Sequence, residues 1–188
     1  VKQNLTWLDS LLQSWRIWMA SRFIPNHAIV ADIGSWDAAL FTTLKTKQLS
    51  GFAIDPLLPK DSPLQQVTYL QGLYPEQVTL DAESIDVVTL LAVMEHIPLE
   101  NQPEFASACL ACLKPGGKVI MTVPAPAVDK ILVWLKKLRL IKGMETGQHY
   151  GLNPELAFQI FKKAGFSFVF KGTFQAGLNN LFVFKKPA

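Results

Sequence analysis

Two acid-bearing turns carry most of the chemistry in this 188-residue chain. In Val30-Ala31-Asp32-Ile33-Gly34-Ser35-Trp36-Asp37-Ala38 an apolar run delivers an acid and then Gly34. A residue with no Cβ permits a tight turn and close approach of backbone to a ligand. About 20 residues further on, Phe52-Ala53-Ile54-Asp55-Pro56 ends a second apolar run on an acid, and a carboxylate there can accept hydrogen bonds from both hydroxyls of a ribose. A dinucleotide needs several glycines so that its pyrophosphate can lie against backbone and a helix N-terminus. Here only Gly34 is present, and Asp32 just inside the turn suits a cationic amine better than a pyrophosphate. Nicotinamide cofactors are therefore disfavoured.

Three further groups are weighed against plainer roles. Glu95-His96 follows an apolar run, so His96 could act as a general base, its imidazole titrating near neutral pH, or could simply hydrogen-bond a structural turn. His149 and Tyr150, in Gln148-His149-Tyr150, are candidates for substrate contact or for loop packing. Cys109 and Cys112 form one Cys-x-x-Cys with no second pair to complete four metal ligands, so they read as core packing, and His27 as a surface loop residue. No Gly-x-Ser-x-Gly, phosphate loop or His-Glu-x-x-His occurs, which removes support for hydrolase, nucleoside-triphosphatase and zinc-peptidase chemistry.

The elements that position these residues follow from periodicity. Thr6 to Phe23 places Trp7, Leu8, Leu11, Leu12, Trp15, Trp18 and Met19 mostly three and four apart, predicting an amphipathic helix that ends before Pro25. Short apolar runs then alternate with helical patterns: IVADIG, GFAID, VTYLQG, IDVVTLLAV, GKVIMTVP, FSFVFKG and NNLFVFKK. Such alternation predicts an α/β sheet, mostly parallel, with VVTLLAV and KVIMTV as central strands covered on both faces. The last two runs, separated by a turn containing Gly177, Asn179 and Asn180, predict an antiparallel pair. Helices are expected at Ala39 to Lys47, at Phe105 to Leu113, and after Asn153-Pro154, where Asn153 caps; Pro56 to Pro63 reads as a surface loop. Val128 to Ile141 predicts an apolar helix with a basic face, which could be packed, serve as a lid, or touch a membrane surface.

Composition bounds the rest. The length predicts one domain, and 49% hydrophobic residues against 18% charged excludes general disorder. A net charge of +3 is too small to argue for nucleic-acid binding. No run of about 18 uncharged apolar residues predicts a membrane span. Asp9, Arg16 and Arg22 interrupt the N-terminal apolar stretch as a secretory signal, although opening on Val1 leaves room for a removed leader. Two cysteines suit a reducing cytoplasm, the expected location.

Taken in order, Val30 to Ala38, Gly51 to Pro56, Leu70-Gln71-Gly72, Asp86 to Ile97 with its Glu-His turn, and Leu113-Lys114-Pro115-Gly116-Gly117 form a series. That series resembles the class I S-adenosylmethionine-dependent methyltransferases, in particular their small-molecule branch, over most of the chain. Each motif alone is weak; their order and spacing are specific. The resemblance implies a Rossmann-like, doubly wound sheet of seven strands, mostly parallel with an antiparallel last strand and helices on both faces. It implies a single domain over 1–188, with an accessory helix in 1–24 and a substrate-side lid insertion at 125–151. The cofactor would be S-adenosylmethionine, leaving as S-adenosylhomocysteine, with no metal, and the acceptor a small molecule, lipid-linked if the basic helix meets a membrane.

By the same resemblance Asp55, with Pro56 beside it, would hold the ribose, while Gly34, Ser35 and Trp36 would flank the methionine moiety. Asp32 would favour the ammonium, Gly72 and Leu73 would border the adenine, and Leu90, Leu91 and Ala92 would supply backbone and wall around the sulfonium. The sequence departs from the family pattern at Trp36 and Ala38, where glycines are usual, and at Leu73, where an acid often contacts the adenine amine. Trp36 could turn outward over the next helix, reshape a working pocket, or close it. The last case is the alternative reading: a non-catalytic binding or scaffold protein on the same fold.

Overall fold

The computed structural model describes residues 7–125 and 153–188. Its strands are β1 Ile29–Ile33, β2 Ser50–Ile54, β3 Val67–Leu70, β4 Ile85–Leu91, β5 Leu113–Pro124, β6 Ser167–Phe174 and β7 Asn179–Lys185. They form one seven-stranded sheet in the order β3-β2-β1-β4-β5-β7-β6. β1, β2, β3, β4 and β5 pair in parallel, and β7 runs antiparallel to both of its neighbours. The expected doubly wound architecture is present.

Both faces of the central strands are covered, which is why their apolar runs are continuous rather than alternating. Ala31, Ile33, Val88, Leu90, Val119 and Met121 enter one core with Phe105, Cys109, Cys112 and Phe161. Val30, Val87 and Ile120 enter the other with Met19, Ala20, Leu40 and Phe41. The first core is backed by α3 Gln102–Cys112 and α4 Pro154–Lys163, the second by α1 Trp7–Ser21 and α2 Ala39–Thr43. Both cysteines are buried free thiols, as packing requires. Asn153 caps α4 as expected, its side chain accepting from the Glu155 N–H at 2.9 Å.

Several local expectations are corrected. α2 ends at Thr43 instead of Lys47; the β-branched pair Thr42-Thr43 is a poor helix continuation, and Lys45–Lys47 closes as a tighter 3-10 turn. α3 begins at Gln102, earlier than Phe105, because Pro103 suits a first helical turn. Lys114 to Gly117 forms a bulge within β5: Ile85 pairs with Leu113 and Val87 with Lys118, so four residues stand opposite Asp86. The final turn occupies residues 175–178, and Asn179 and Asn180 already belong to β7.

α1 is present but turns inward an unexpected face. It buries Asp9, Ile17, Met19 and Ala20 and leaves Trp7, Leu11, Trp15 and Trp18 exposed. At the far edge of the sheet, Val169 is an extra residue between the pairs Phe168↔Phe184 and Phe170↔Val183. This bulge lets Phe168 contact Phe158 of α4 while Phe170 contacts Phe23, just past α1. No helix among the described residues is long and apolar enough to cross a membrane. The expected helix at 128–141, the insertion at 125–151, and His149 and Tyr150 fall outside the described residues, save Ala125.

Candidate functional site

The chain leaves β1 toward β2 and β3 and returns to β4 on the other side of β1, so the strand order reverses between β1 and β4. At such a switch point the connections leave in opposite directions and open a crevice beyond the carboxyl ends of the strands. Asp32 of β1 lies there, directly opposite Thr89 of β4. The Thr89 hydroxyl donates to Asp32 Oδ1 at 2.6 Å, and the Ser35 hydroxyl donates to Oδ2 at 2.6 Å. Burial pushes the Asp32 carboxyl up to about 6; the two hydroxyls oppose that rise, and the nearby charges of Asp37 and Asp55 add to it. Three carboxylates thus share one end of the sheet, a field that a cation relieves.

Between β1 and α2 the backbone is repeatedly left-handed: Gly34 has φ 71°, Trp36 φ 52° and Ala38 φ 56°. Gly34 is required twice, because a Cβ there would lie 2.5 Å from Val93 Cγ2. The turn is held by the N–H groups of Gly34 and Ser35, which donate to the Ile54 carbonyl at 2.9 and 3.1 Å. Left-handed geometry costs a non-glycine residue roughly 1–2 kcal/mol, so Trp36 and Ala38 keep at some cost the path that glycine adopts freely. The Trp36 side chain is half-buried, and its backbone N–H donates to Asp55 Oδ2 at 3.1 Å.

Asp55, buried at the tip of β2, also accepts from the Leu57 N–H at 2.8 Å through Oδ1. Each of its oxygens has one backbone donor and a lone pair to spare. Pro56 is exposed, and its carbonyl accepts from the Gln71 side-chain amide at 3.3 Å, tying the β2 exit to the end of β3. There Gly72 is buried with φ 152°, and the exposed Leu73 donates its N–H to Gln77 Oε1 at 2.9 Å.

At the end of β4, Leu90 is wholly inside the core, while Leu91 and Ala92 are half-buried. Ala92 is left-handed (φ 63°), and its N–H is caught by Thr122 of β5, at 3.0 Å by the hydroxyl and 3.3 Å by the carbonyl. Met94–His96 forms a 3-10 turn that the buried Gln102 amide braces, donating to the carbonyls of Met94 at 3.2 Å and Ile97 at 3.0 Å. Within this turn Glu95 is buried and His96 exposed. Arg16 of α1 feels the charges of Glu95 and Asp9, which raise its guanidinium against the larger lowering by burial.

Asp32, Gly34, Ser35, Trp36 and Asp55 are therefore linked into one hydrogen-bonded tip, with Pro56, Gly72 and Leu73 on one flank and Leu91 and Ala92 on the other. Leu90 offers that tip no exposed side chain. Sequence reasoning missed Thr89, Thr122, Val93 and Arg16. The two threonines had a signal, a hydroxyl in the middle of an otherwise apolar central strand, since a buried polar group must find a partner. Val93 and Arg16 had none. Among the described residues no group of three or more His, Cys, Asp or Glu is placed so that it could hold a metal ion.

Residues 8–169 match the protein family described as a methyltransferase domain. No curated protein matches the chain. Among solved structures, the S-adenosylmethionine dependent methyltransferase from Mesorhizobium loti superposes with TM-score 0.67 at 14% identity, covering 93% of this chain and 99% of that one. A SAM-dependent methyltransferase from Methanosarcina mazei gives 0.64 at 13% identity, covering 90% and 97%. A chain from the complex between the Haloferax volcanii Trm112 methyltransferase activator and the putative methyltransferase gives 0.66 at 16% identity, covering 94% and 91%. At these identities the likeness is one of fold.

Proposed function

The chain belongs to the methyltransferase-domain family, and from that membership we propose that it transfers a methyl group from S-adenosylmethionine to a small-molecule acceptor. The observation that carries this reading is the linked tip of β1 and β2, where two buried carboxylates flank a left-handed turn pinned to the sheet. The residues fit the cofactor's chemistry. The charges of Asp37 and Asp55 disfavour a further negative charge on Asp32, at a site that would take a cationic ligand. Gly34 is exposed and without a side chain where backbone must approach that ligand.

On this reading Asp55 uses its spare lone pairs for the ribose hydroxyls, and Asp32 favours the ammonium directly or through water. Gly34, Ser35 and Trp36 offer backbone to the methionine moiety, Pro56, Gly72 and Leu73 border the adenine, and Leu91 and Ala92 border the sulfonium. When bound, the cofactor supplies an electrophilic methyl group. The chain's own part is to orient the acceptor, which can supply on the order of 7–11 kcal/mol without a dedicated base. The exposed His96 is thus not essential to the reading.

Calorimetric titration with S-adenosylmethionine and S-adenosylhomocysteine tests it, after confirming that neither co-purifies. Micromolar binding is expected. A folded protein that binds neither up to millimolar concentration would instead be a non-catalytic member of the family.

A further inference from the structure

Among the described residues one side of α1 stays largely exposed, with Trp15 at its edge meeting Phe174 at 6.5 Å. At 3.6 residues per turn, Trp7, Leu11, Trp15 and Trp18 fall within a sector of about 80°, and Arg22, just past the helix, lies over the Trp18 ring. Their neighbours Asp9, Gln13, Arg16, Ile17 and Ala20 fall on the opposite side, against the protein. The outward side chains are 72%, 51%, 41% and 58% exposed for Trp7, Leu11, Trp15 and Trp18. Scattered exposed apolar residues are ordinary, but three tryptophans and a leucine on one helix face are a contiguous patch of the kind that marks an interaction surface.

The chemistry of the patch selects its occupant. The exposed Ser10 and Ser14 flank the tryptophans on one side of the helix. Indole, with an apolar body and one N–H, is the side chain that settles at the headgroup level of a bilayer. The sector holds no acid: Asp9 is buried, and the exposed Asp37 meets α1 on its inner flank through Gln13, whose side-chain amide donates to Asp37 Oδ1 at 3.1 Å. The charge beside it is cationic, with the Arg22 guanidinium 5.9 Å from the Trp18 ring. We propose that this face of α1 docks the protein on an anionic lipid surface.

Docking here would be coupled to the site. The inner side of α1 touches the loop after β1 through Gln13 and Asp37, and Arg16 lies within the field of Glu95 at the end of β4. A protein seated by Trp7, Leu11 and Trp18 would carry these contacts on its membrane-facing helix, which favours an amphiphilic acceptor taken from the bilayer. That last step rests on the methyltransferase reading; the docking does not.

Flotation with vesicles of phosphatidylcholine alone and of phosphatidylcholine with phosphatidylglycerol tests the docking, using the wild type and the triple variant Trp7→Ser, Leu11→Ser, Trp18→Ser. Trp15 is kept because its ring meets the core residue Phe174 at 6.5 Å. The wild type is expected to float with anionic vesicles in a salt-sensitive manner, and the triple variant to lose about tenfold or more of that affinity with the lost apolar contact. Three results overturn the proposal: no wild-type binding at low salt, undiminished binding by the folded triple variant, or a wild-type dimer that the variant dissociates without either binding vesicles. If the triple variant does not fold, brominated-lipid quenching of indole emission decides. Quenching that Trp18→Ser reduces supports docking, and none overturns it. Titration of the same samples with S-adenosylhomocysteine separates the two readings. Vesicle binding without cofactor binding removes the methyltransferase reading alone; cofactor binding without vesicle binding removes the docking alone.

Discussion

Asp32 and Thr89 stand opposite one another in the β1–β4 ladder, and the Thr89 hydroxyl donates to Asp32 Oδ1 at 2.6 Å. The pair places a carboxylate inside a sheet whose surroundings are otherwise apolar, and only two hydroxyls replace the water it gives up. Its titration is accordingly displaced, and the displacement has consequences for both stability and binding.

Burial raises the Asp32 carboxyl to about 6, above its ordinary value. Between about pH 4 and 6 the folded protein then retains a proton that the unfolded chain has released. The folded state binds more protons in that window, so this group's contribution to stability is present below about pH 4 and is lost as pH rises through about 6. Two units of displacement correspond to about 3 kcal/mol. Urea melts across this range should show the stability of the wild type relative to the Asp32→Asn variant falling as pH rises. Identical slopes would contradict the assignment.

Removing one member of the pair should expose its coupling to the other. Thr89→Val keeps the shape and deletes the donor, leaving Asp32 with Ser35 alone, at a cost of about 1–3 kcal/mol for the less satisfied buried group. In a double-mutant cycle with Asp32→Asn the two changes should be non-additive by at least about 0.5 kcal/mol. Additive effects would mean that the hydrogen bond contributes nothing.

Gly34→Ala combines a strained φ with a contact 2.5 Å from Val93 Cγ2. The backbone part should cost about 1–2 kcal/mol and the overpacking about 1–3 kcal/mol. Adding Val93→Ala removes the contact but not the strain. Thermal denaturation should therefore place the double variant above Gly34→Ala, after correction for the cost of Val93→Ala alone, and still below the wild type. No recovery would show that Val93 is not the obstacle.

Asp55 has two duties, holding the N–H groups of Trp36 and Leu57 and, on the proposed reading, a ribose. Asp55→Ala should weaken S-adenosylhomocysteine binding by about 1.5–3 kcal/mol, the range for hydrogen bonds to a charged group. Calorimetry on the folded variant measures this directly. Unchanged affinity would leave Asp55 with the structural duty alone.

Much of the fold was legible in the chain itself, for local reasons. Apolar runs such as VVTLLAV predict strands covered on both faces, Asn153-Pro154 predicts a helix start, and an acid followed by Gly34 predicts a turn that backbone alone can make. The family motifs led to the expectation of a site at the strand ends, and the residues they named at the tips of β1 and β2 are hydrogen-bonded together. What the residues could not show is which distant groups meet. Asp32 and Thr89 are 57 residues apart, and Ala92 and Thr122 are 30 apart. A hydroxyl in a buried strand announces only that a partner must exist, because desolvation demands one without naming it.

The same limit explains α1. Its spacing of apolar residues predicts a helix, since that pattern depends only on the 3.6-residue turn. Which side faces inward depends on what the sheet offers. Ile17 and Ala20 fit the packed surface, and Asp9 and Arg16 bring charges that offset one another, so the tryptophans are left outside. The left-handed backbone at Trp36 and Ala38 is likewise a tertiary result. No local preference of those residues favours it, but the loop must pass Ile54 and present the Trp36 N–H to Asp55, and the rest of the fold supplies the energy that holds it there.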